Sequence, residues 1–191
     1  MIYRTILSQT GIRRLWKSDQ LKLVDHFLRL DKHTRHLRFG GTVSDSFLKQ
    51  YAETILTTDY VNFGAFPDGE LRGVAELRGL LDSWPRSAEI ALVVEPAWQD
   101  RGIGEAMFNR LLAAAQKRGI KKLNMLCLHE NTRMRNLARK HDAHLTIESG
   151  NIEATLGMAW PTPISIFDEV FNDPRGYLPA PFRTSSRQKG Q

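Results

Sequence analysis

The sequence is short of cysteine and of long apolar runs, and each shortage excludes a class of protein. Cys127 is the only cysteine in 191 residues, so a disulfide-stapled secreted scaffold is excluded and a reducing compartment is the simplest assumption. No segment approaches the roughly 18 apolar residues of a membrane-spanning helix. The N-terminus also lacks an uninterrupted apolar stretch of signal-peptide length. We therefore expect a cytoplasmic protein with no membrane partner.

Acidic residues are outnumbered, giving a formal net charge of +6, but the excess is unevenly distributed. From residue 173 onward there are four cations and one anion, so +3 of the charge lies in the C-terminal tail. A second basic cluster, "DKHTRHLR" at residues 31–38, is either a solvated face or a site for an acidic ligand or partner. An RNA-binding sheet needs exposed aromatic residues on its strands. The sequence has no such run, so a nucleic acid is not an expected partner.

Hydrophobic periodicity and turn residues predict a mixed α/β (α+β) chain, with a mostly antiparallel sheet flanked by helices. Residues 31–38 are predicted as a basic loop. Ser18 is the predicted N-cap of the first helix, and Ser44 or Asp45 that of the second. The predicted strands are residues 11–16, 60–66, 71–81, 87–94 and 122–129, with a closing hairpin at 144–149 and 152–158. The predicted helices are residues 19–30, 45–56, 105–119 and 131–141.

Prolines are concentrated near the C-terminus, where five of the eight lie between Pro161 and Pro181. We therefore predict one domain over residues 1–160, followed by a Pro-rich basic extension over residues 161–191. The extension packs on the domain or pairs with a neighbouring molecule, which leaves a homodimer open.

Two glycines separated by one residue mark the segment "WQDRGIGEAM" (98–107), between an apolar strand and a helix. A dinucleotide fingerprint would need a small residue in place of Met107 and an acidic residue on the next strand, "KKLNMLCLH", which has none. A pyrophosphate cradle fits better, because free N–H groups at residues 100–105 and the helix dipole favour an anion. Gly102 and Gly104 would also remove obstructing Cβ atoms. A tight turn without a ligand is the remaining interpretation.

At these residues the chain resembles the GNAT N-acetyltransferase superfamily. The segment "VVEPAWQDRGIG" is similar to its acetyl-CoA signature, Q/R-x-x-G-x-G/A, and "ENTRMRNLARK" is similar to the helix whose asparagine commonly contacts the pantetheine arm. The resemblance covers residues 11–157. It implies the GNAT acyl-CoA N-acyltransferase fold, with acetyl-CoA as cosubstrate and no metal.

The resemblance also implies where coenzyme A lies. The sheet would be splayed between the strands at 87–94 and 122–128, with coenzyme A in the opening. Backbone groups near Leu92 and Val94 would pair with pantetheine like an extra strand, and Asn131 would contact the same arm. The pyrophosphate would be held by the signature segment, which consists of Gln99, Asp100, Arg101, Gly102, Ile103 and Gly104.

Attack by an amine needs a base, since a free lysine amine has a pKa of about 10.4. Strand alternation puts Glu89, Ala91 and Val93 on one face, and an acid at the head of an apolar strand is costly to bury without purpose. Glu89 is therefore the predicted base, and protein-acetylating GNAT members carry a general-base glutamate at this point of the strand. The alternative is an exposed charge at the start of the strand. Glu76, on the neighbouring strand, is the second candidate base.

The usual general acid of the family is missing from this sequence. Many members carry a tyrosine in the asparagine helix, and the matching position here is Ala138; Asp142 and Ala143 replace the usual Gly-Phe. His129, at the end of a strand beside the cleft, is the candidate acid unless it is structural. Otherwise water or direct transfer protonates the thiolate. Cys127 is predicted to be a buried core thiol.

The segment "RHLRFGGTVSD" (35–45), with Met134 in a tyrosine-free helix, resembles the catalytic domain of Pat-type protein-lysine acetyltransferases. This resemblance implies that Arg38 and Phe39 contact the acceptor. The predicted activity is acetyl transfer from acetyl-CoA to a primary amine, either a protein lysine or a small amine. A coenzyme-A-binding sensor or interaction module without catalysis is one alternative. A basic partner-binding protein that uses residues 31–38 and the tail is another.

Overall fold

The computed structural model describes residues 11–56, 60–80, 86–148 and 151–157. The predicted C-terminal extension at 161–191 lies outside these residues, so the predicted domain boundary stays a prediction. Within the described ranges, no helix is both long enough and apolar enough to cross a membrane.

The described residues form seven strands and five α-helices. The strands are β1 (Gly11–Arg14), β2 (Tyr60–Phe66), β3 (Gly73–Leu80), β4 (Ser87–Val94), β5 (Lys122–Leu128), β6 (His144–Glu148) and β7 (Asn151–Gly157). The helices are α1 (Gln20–Arg29), α2 (Lys32–Phe39), α3 (Asp45–Thr54), α4 (Ile103–Lys117) and α5 (Thr132–Lys140).

The seven strands form one sheet in the order β1-β2-β3-β4-β5-β7-β6. Every neighbouring pair is antiparallel except β4 and β5, which run parallel. The mixed, mostly antiparallel sheet that the sequence predicts is thus confirmed. Both predicted hairpins are present: a turn with Gly69 at φ +86° precedes β3, and β6 pairs with β7.

The basic segment at residues 31–38 is helical, so the predicted loop is wrong. The Asp31 side chain accepts a hydrogen bond from the N–H of Thr34 at 2.8 Å and caps the N-terminus of α2. Gly40, at φ +74°, ends the helix in the left-handed conformation. The basic composition of the segment favours a solvated loop, although Asp31 and Gly40 are typical residues for the two ends of a helix. The predicted cap of the next helix is confirmed, because Ser44 accepts a hydrogen bond from the first turn of α3.

Ser18 is not the N-cap of the first helix. Residues Lys17–Asp19 form a 3₁₀ turn, and α1 begins only at Gln20. The buried Asp19 carboxylate accepts two hydrogen bonds from Arg13, at 2.7 and 2.8 Å. An ion pair to β1, rather than a serine hydroxyl, therefore fixes the start of this helix.

The sheet separates two hydrophobic cores. Helices α4 and α5 contribute to the core on one face, and α1 and α3 to the core on the other. The first core includes Leu77, Ile90, Met107, Phe108, Leu111, Leu123, Met125 and Ala138. The second includes Leu23, Phe27, Leu48, Ala52, Val74 and Val93.

The second face carries both predicted acids. Val74 belongs to the second core, and side chains alternate along a strand, so Glu76 and Arg78 lie on that face too. Val93 belongs to the same core, which puts Glu89 on this face as the sequence predicts. Charged side chains from β3 and β4 therefore meet beneath the helices α1 to α3.

Gly64 of β2 is a point of close packing. A Cβ atom there would lie 2.6 Å from both Leu15 Cδ2 and Leu71 Cδ1, and both leucines are buried. We expect Gly64→Ala to lower the free energy of unfolding by about 2 kcal/mol, the middle of the range for overpacking, in urea denaturation. Gly41→Ala is the control, since nothing lies within 4 Å of its added Cβ. A Gly64→Ala protein as stable as this control would contradict the packing.

Candidate active site

The sheet opens between its two parallel strands. β4 and β5 are paired only at their starts, through Ser87–Lys122, Ala88–Leu123 and Glu89–Asn124. Beyond this point lies a cavity of about 280 Å³, walled by the end of α2, by β3 and β4, by β5 and by the start of α5. The predicted divergence of these strands is confirmed. The cavity lining includes Arg38, Phe39, Glu89, Leu92, Cys127 and Asn131.

The backbone of the second half of β4 turns its polar groups toward this opening. The N–H of Glu95 donates to the carbonyl of Arg72 at 2.9 Å, in register with the β3–β4 ladder. Because bonded positions alternate in an antiparallel pair, the N–H and C=O groups of Leu92 and Val94 point away from β3. The carbonyl of Val94 already accepts a hydrogen bond from Gln99 Nε2 at 2.8 Å. Leu92 is thus the better placed of the two for a ligand, and Gln99 acts as an internal brace.

The loop after β4 is fixed at its start by a buried acid, Glu95. Its carboxylate contacts His26 Nδ1 at 3.0 Å, Arg29 Nε at 2.9 Å and Arg72 Nη1 at 3.1 Å. Burial lowers the pKa of His26, an effect that the hydrogen bond to Glu95 opposes. Helix α1 and the residue just before β3 are therefore tied to the first residue after β4.

The N-terminus of α4 begins beside the opening without a side-chain cap. Gly102, at φ +79°, is the N-cap residue and has no side chain with which to cap the helix. A Cβ added to Gly104 would lie 3.6 Å from Leu92 Cδ2, an ordinary contact, so this glycine lies against β4. The first-turn N–H groups and the positive end of the helix dipole are features that favour an anion. Ile103 is 1% exposed, so its side chain belongs to the core.

Two charged residues of the same segment have partners on the protein surface. Asp100, at φ +58°, accepts hydrogen bonds from Arg133 of α5 at 2.9 and 3.2 Å. The Arg101 guanidinium lies 4.8 Å from the centre of the Trp98 ring. The first contact links the signature segment to α5, and the second holds a cation beside the N-terminus of α4.

Three candidate residues in or just after β5 have different environments. Asn131 lines the cavity and caps α5, since its Oδ1 accepts from the N–H of Met134 at 3.1 Å. Cys127 is buried as predicted, and burial raises the pKa of its thiol. His129 is exposed, and it is not among the residues that line the cavity. Its exposed position gives no support to a role as general acid.

Glu89 lies in the cavity with its side chain 42% exposed. It is therefore neither buried in the core nor fully solvated. Its Cα partner across the antiparallel ladder is Arg78, whose Nη1 is 3.8 Å from Glu89 Oε1. This acid is half-exposed, lies where the two strands separate, and is within reach of a molecule in the cavity.

Glu76 differs from Glu89 in its burial and in its position relative to the cavity. Its side chain is 0% exposed, and it is not among the cavity-lining residues. Oε1 accepts from Arg38 Nη2 at 2.5 Å, and Oε2 accepts from Tyr51 OH at 2.6 Å and from Arg78 Nη2 at 3.1 Å. Burial raises the pKa of Glu76, and the charge of Arg38 opposes this effect. With its two oxygens bound by α2, α3 and β3, Glu76 is an anchor behind the cavity.

Sequence reasoning misses Arg78 and Tyr51. Arg78 follows Glu76 by two residues on one strand, so it shares that face, and the hairpin register sets it opposite Glu89. That register could have identified Arg78. Tyr51 carries no comparable signal, because only the packing of α3 brings its hydroxyl to Glu76. Its ring also packs against Phe39, with centroids 5.3 Å apart.

The family model described as the acetyltransferase (GNAT) family matches residues 28–142, which is more than half of the chain. The match runs from the last residues of α1 to just beyond α5 and includes all the residues that line the cavity except Asn151 of β7. The chain belongs to the GNAT acetyltransferase family.

Solved structures share the GNAT fold with this chain at low sequence identity. The GNAT domain of S. lividans PAT has a TM-score of 0.67 and 20% identity, over 78% of this chain and 90% of that one. The protein yncA from Salmonella typhimurium, solved with acetyl-CoA, has a TM-score of 0.62 and 18% identity, over 81% and 98%. The PaiA N-acetyltransferase of Thermoplasma acidophilum, in complex with coenzyme A, has a TM-score of 0.59 and 16% identity, over 78% and 98%.

In this GNAT acetyltransferase, the position of the missing tyrosine is buried. Ala138, at the matching position of α5, is 0% exposed and belongs to the core beneath the sheet. A tyrosine ring there would have to displace packed side chains. The packing around Ala138 is thus consistent with a small residue at this position.

Proposed function

We propose that the chain transfers an acetyl group from acetyl-CoA to a primary amine, with Glu89 as the general base. The observation that carries this proposal is the half-exposed Glu89 carboxylate at the point where β4 and β5 diverge. Two of the structural neighbours were solved with acetyl-CoA or coenzyme A, which supports the same donor here. The acceptor is a protein lysine or a small amine.

The residues of the donor side suit coenzyme A. The thioester supplies an activated acyl group when acetyl-CoA is bound. The backbone of Leu92 offers strand-like hydrogen bonds to an amide-containing arm, and Asn131 offers an amide side chain from the facing wall. The uncapped N-terminus of α4, with Gly102 at its N-cap, suits a pyrophosphate. Arg101 adds a cation nearby.

On the acceptor side, Glu89 takes a proton and the end of α2 forms a wall. A primary ammonium gives one proton to the Glu89 carboxylate, and the neutral amine attacks the thioester carbonyl. The second proton of the amine then passes to the departing thiolate, so the chemistry balances without a tyrosine. Arg38 and Phe39 border the same cavity and limit the shape of the acceptor.

Gly104→Asp tests the pyrophosphate site. An acid in the first turn of α4 is favourable to the helix by about 0.3–1 kcal/mol, so the fold should persist. Its charge would repel a pyrophosphate, and we expect the Kd for acetyl-CoA to rise at least about tenfold, which corresponds to about 1.4 kcal/mol, by isothermal titration calorimetry.

The matched control is Gly104→Ala. Its Cβ would meet Leu92 Cδ2 at an ordinary 3.6 Å, so stability should not fall. The family signature accepts alanine at this position, so any loss of affinity should be much smaller than that of the aspartate variant. Equal acetyl-CoA affinity in the aspartate and alanine variants would rule out a pyrophosphate at the N-terminus of α4.

A second candidate function is a coenzyme-A-binding sensor or interaction module. The observation that favours it is the buried Ala138 in place of the usual tyrosine. Thiol release from acetyl-CoA with a panel of amines and lysine peptides separates the two functions. Release that depends on an amine supports the transferase, and tight acetyl-CoA binding without release supports the sensor.

A further inference from the structure

Arg78 contacts both of the acids that the sequence offers as a base. Its Nη2 donates to Glu76 Oε2 at 3.1 Å and also to the hydroxyl of Tyr51. Its Nη1 is 3.8 Å from Glu89 Oε1. The guanidinium therefore spans the distance between a fully buried carboxylate and the half-exposed carboxylate of the cavity.

The contacts around Glu76 hold Arg78 in place. Arg38 reaches Glu76 from α2, and Tyr51 reaches it from α3, so two helices and a strand determine where this carboxylate lies. A planar guanidinium presents its donors in a fixed fork. When one arm is held by Glu76 and Tyr51, the direction of the other arm, toward Glu89, is fixed as well.

We propose that Arg78 is the positioning residue of this acetyltransferase: anchored by Glu76 and Tyr51, it holds the Glu89 carboxylate oriented toward the cavity. This rests on the proposed role of Glu89 as base. Arg78 need not touch either substrate for this role. Its effect on the reaction passes through Glu89.

Among the described residues, the charges near Glu89 come from two elements besides its own strand. β3 contributes Arg78 and the buried Glu76, and α2 contributes Arg38, whose guanidinium donates to Glu76 at 2.5 Å. The residue opposite Glu89 on β5 is the neutral Asn124. Arg78, at 3.8 Å, is the cation that lies closest to the Glu89 carboxylate among these.

The test is kcat at saturating acetyl-CoA for Arg78→Gln and Arg78→Lys, with Arg78→Gln also placed in a Glu89→Gln background. A misplaced catalytic group costs up to about 10²-fold in rate, so Arg78→Gln should lower kcat by about this much on its own and hardly at all when Glu89 is already replaced. Arg78→Lys keeps the charge but loses the planar fork, so it should lower kcat as well. The Kd for acetyl-CoA should be unchanged in both, because the donor site is not altered.

Arg118→Gln is the control for loss of an arginine. Arg118 follows the last residue of α4 and is not among the residues that line the cavity. Its kcat should match wild type. Tyr51→Phe is a second probe that keeps every charge and removes the hydroxyl that holds Arg78, and it should lower kcat by a smaller amount than Arg78→Gln.

The outcomes separate this proposal from the proposed function. Equal losses of kcat from Arg78→Gln in the wild-type and Glu89→Gln backgrounds would mean that Arg78 is merely structural and would overturn the proposal. A wild-type kcat in Tyr51→Phe, if Arg78→Gln does not fold, would overturn it as well. A normal rate in Glu89→Gln would instead overturn the role of Glu89 as base, whatever the Arg78 variants do.

Discussion

Glu89→Gln should lower kcat by about 10²- to 10⁴-fold, the usual contribution of a general base. Glutamine keeps the size of the side chain and removes its ability to take a proton. Because Glu89 is half-exposed in the cavity and outside both cores, the fold should be unaffected. Steady-state kinetics at saturating acetyl-CoA measures the effect, and calorimetry should give a Kd for acetyl-CoA close to that of wild type.

Glu53→Gln is the matched control, since Glu53 is an exposed residue of α3 outside the cavity lining. It should retain wild-type kcat. Should Glu89→Gln turn over at the rate of this control, Glu89 is not the base. The chemistry would then depend on an acceptor that arrives already deprotonated. A variant that loses acetyl-CoA binding as well as turnover would indicate a role in binding.

Arg38→Met should cause the largest loss of stability among the single substitutions considered. Arg38 is 8% exposed and Glu76 is 0% exposed, and removal of one partner of a buried ion pair costs about 3–5 kcal/mol. Arg78 still contacts Glu76 in this variant, so we expect the low end, about 3 kcal/mol. For a protein of this size, this corresponds to a fall in Tm of about 6–12 °C.

Lys32→Met controls for the loss of a cation from the same helix. Lys32 is exposed in the first turn of α2, where a positive charge opposes the helix dipole, so its removal should be close to neutral. Thermal and urea unfolding of the two variants give the comparison. A similar stability of Arg38→Met and Lys32→Met would show that the buried pair adds nothing to the fold.

Local pattern predicts most of the elements of this fold. Strands β2 and β4 coincide with their predicted ranges, because each has turn residues or an abrupt change of polarity at both ends. The sequence predictions are wrong where the residues that bound a helix conflict with the composition of the segment. Helix α2 is hidden by its basic residues although Asp31 and Gly40 bound it, and Ser18 is a plausible cap that the ion pair of Asp19 displaces.

The site likewise has some features that local sequence signals predict and others that they do not. The face on which Glu89 lies and the place of the glycine segment between a strand and a helix can be predicted from sequence, because strand alternation and a strand-to-helix glycine pair are local signals. The different environments of Glu76 and Glu89 cannot be predicted from sequence, since both are acids on one face of neighbouring strands. Only the packing of α2 and α3 over Glu76 buries one and leaves the other open. That difference arises from contacts between residues far apart in the sequence, which periodicity does not encode.

The early end of the β4–β5 pairing gives the sheet two additional edges at its centre. Open edges invite pairing with a strand of another molecule, and proteins commonly shield them with a helix or loop. Here α2 and the start of α5 stand on either side of the cleft, and the Gln99 amide covers the carbonyl of Val94. Unpaired strand backbone at the centre of the sheet is thus shielded from edge-to-edge aggregation while it stays open to the cavity.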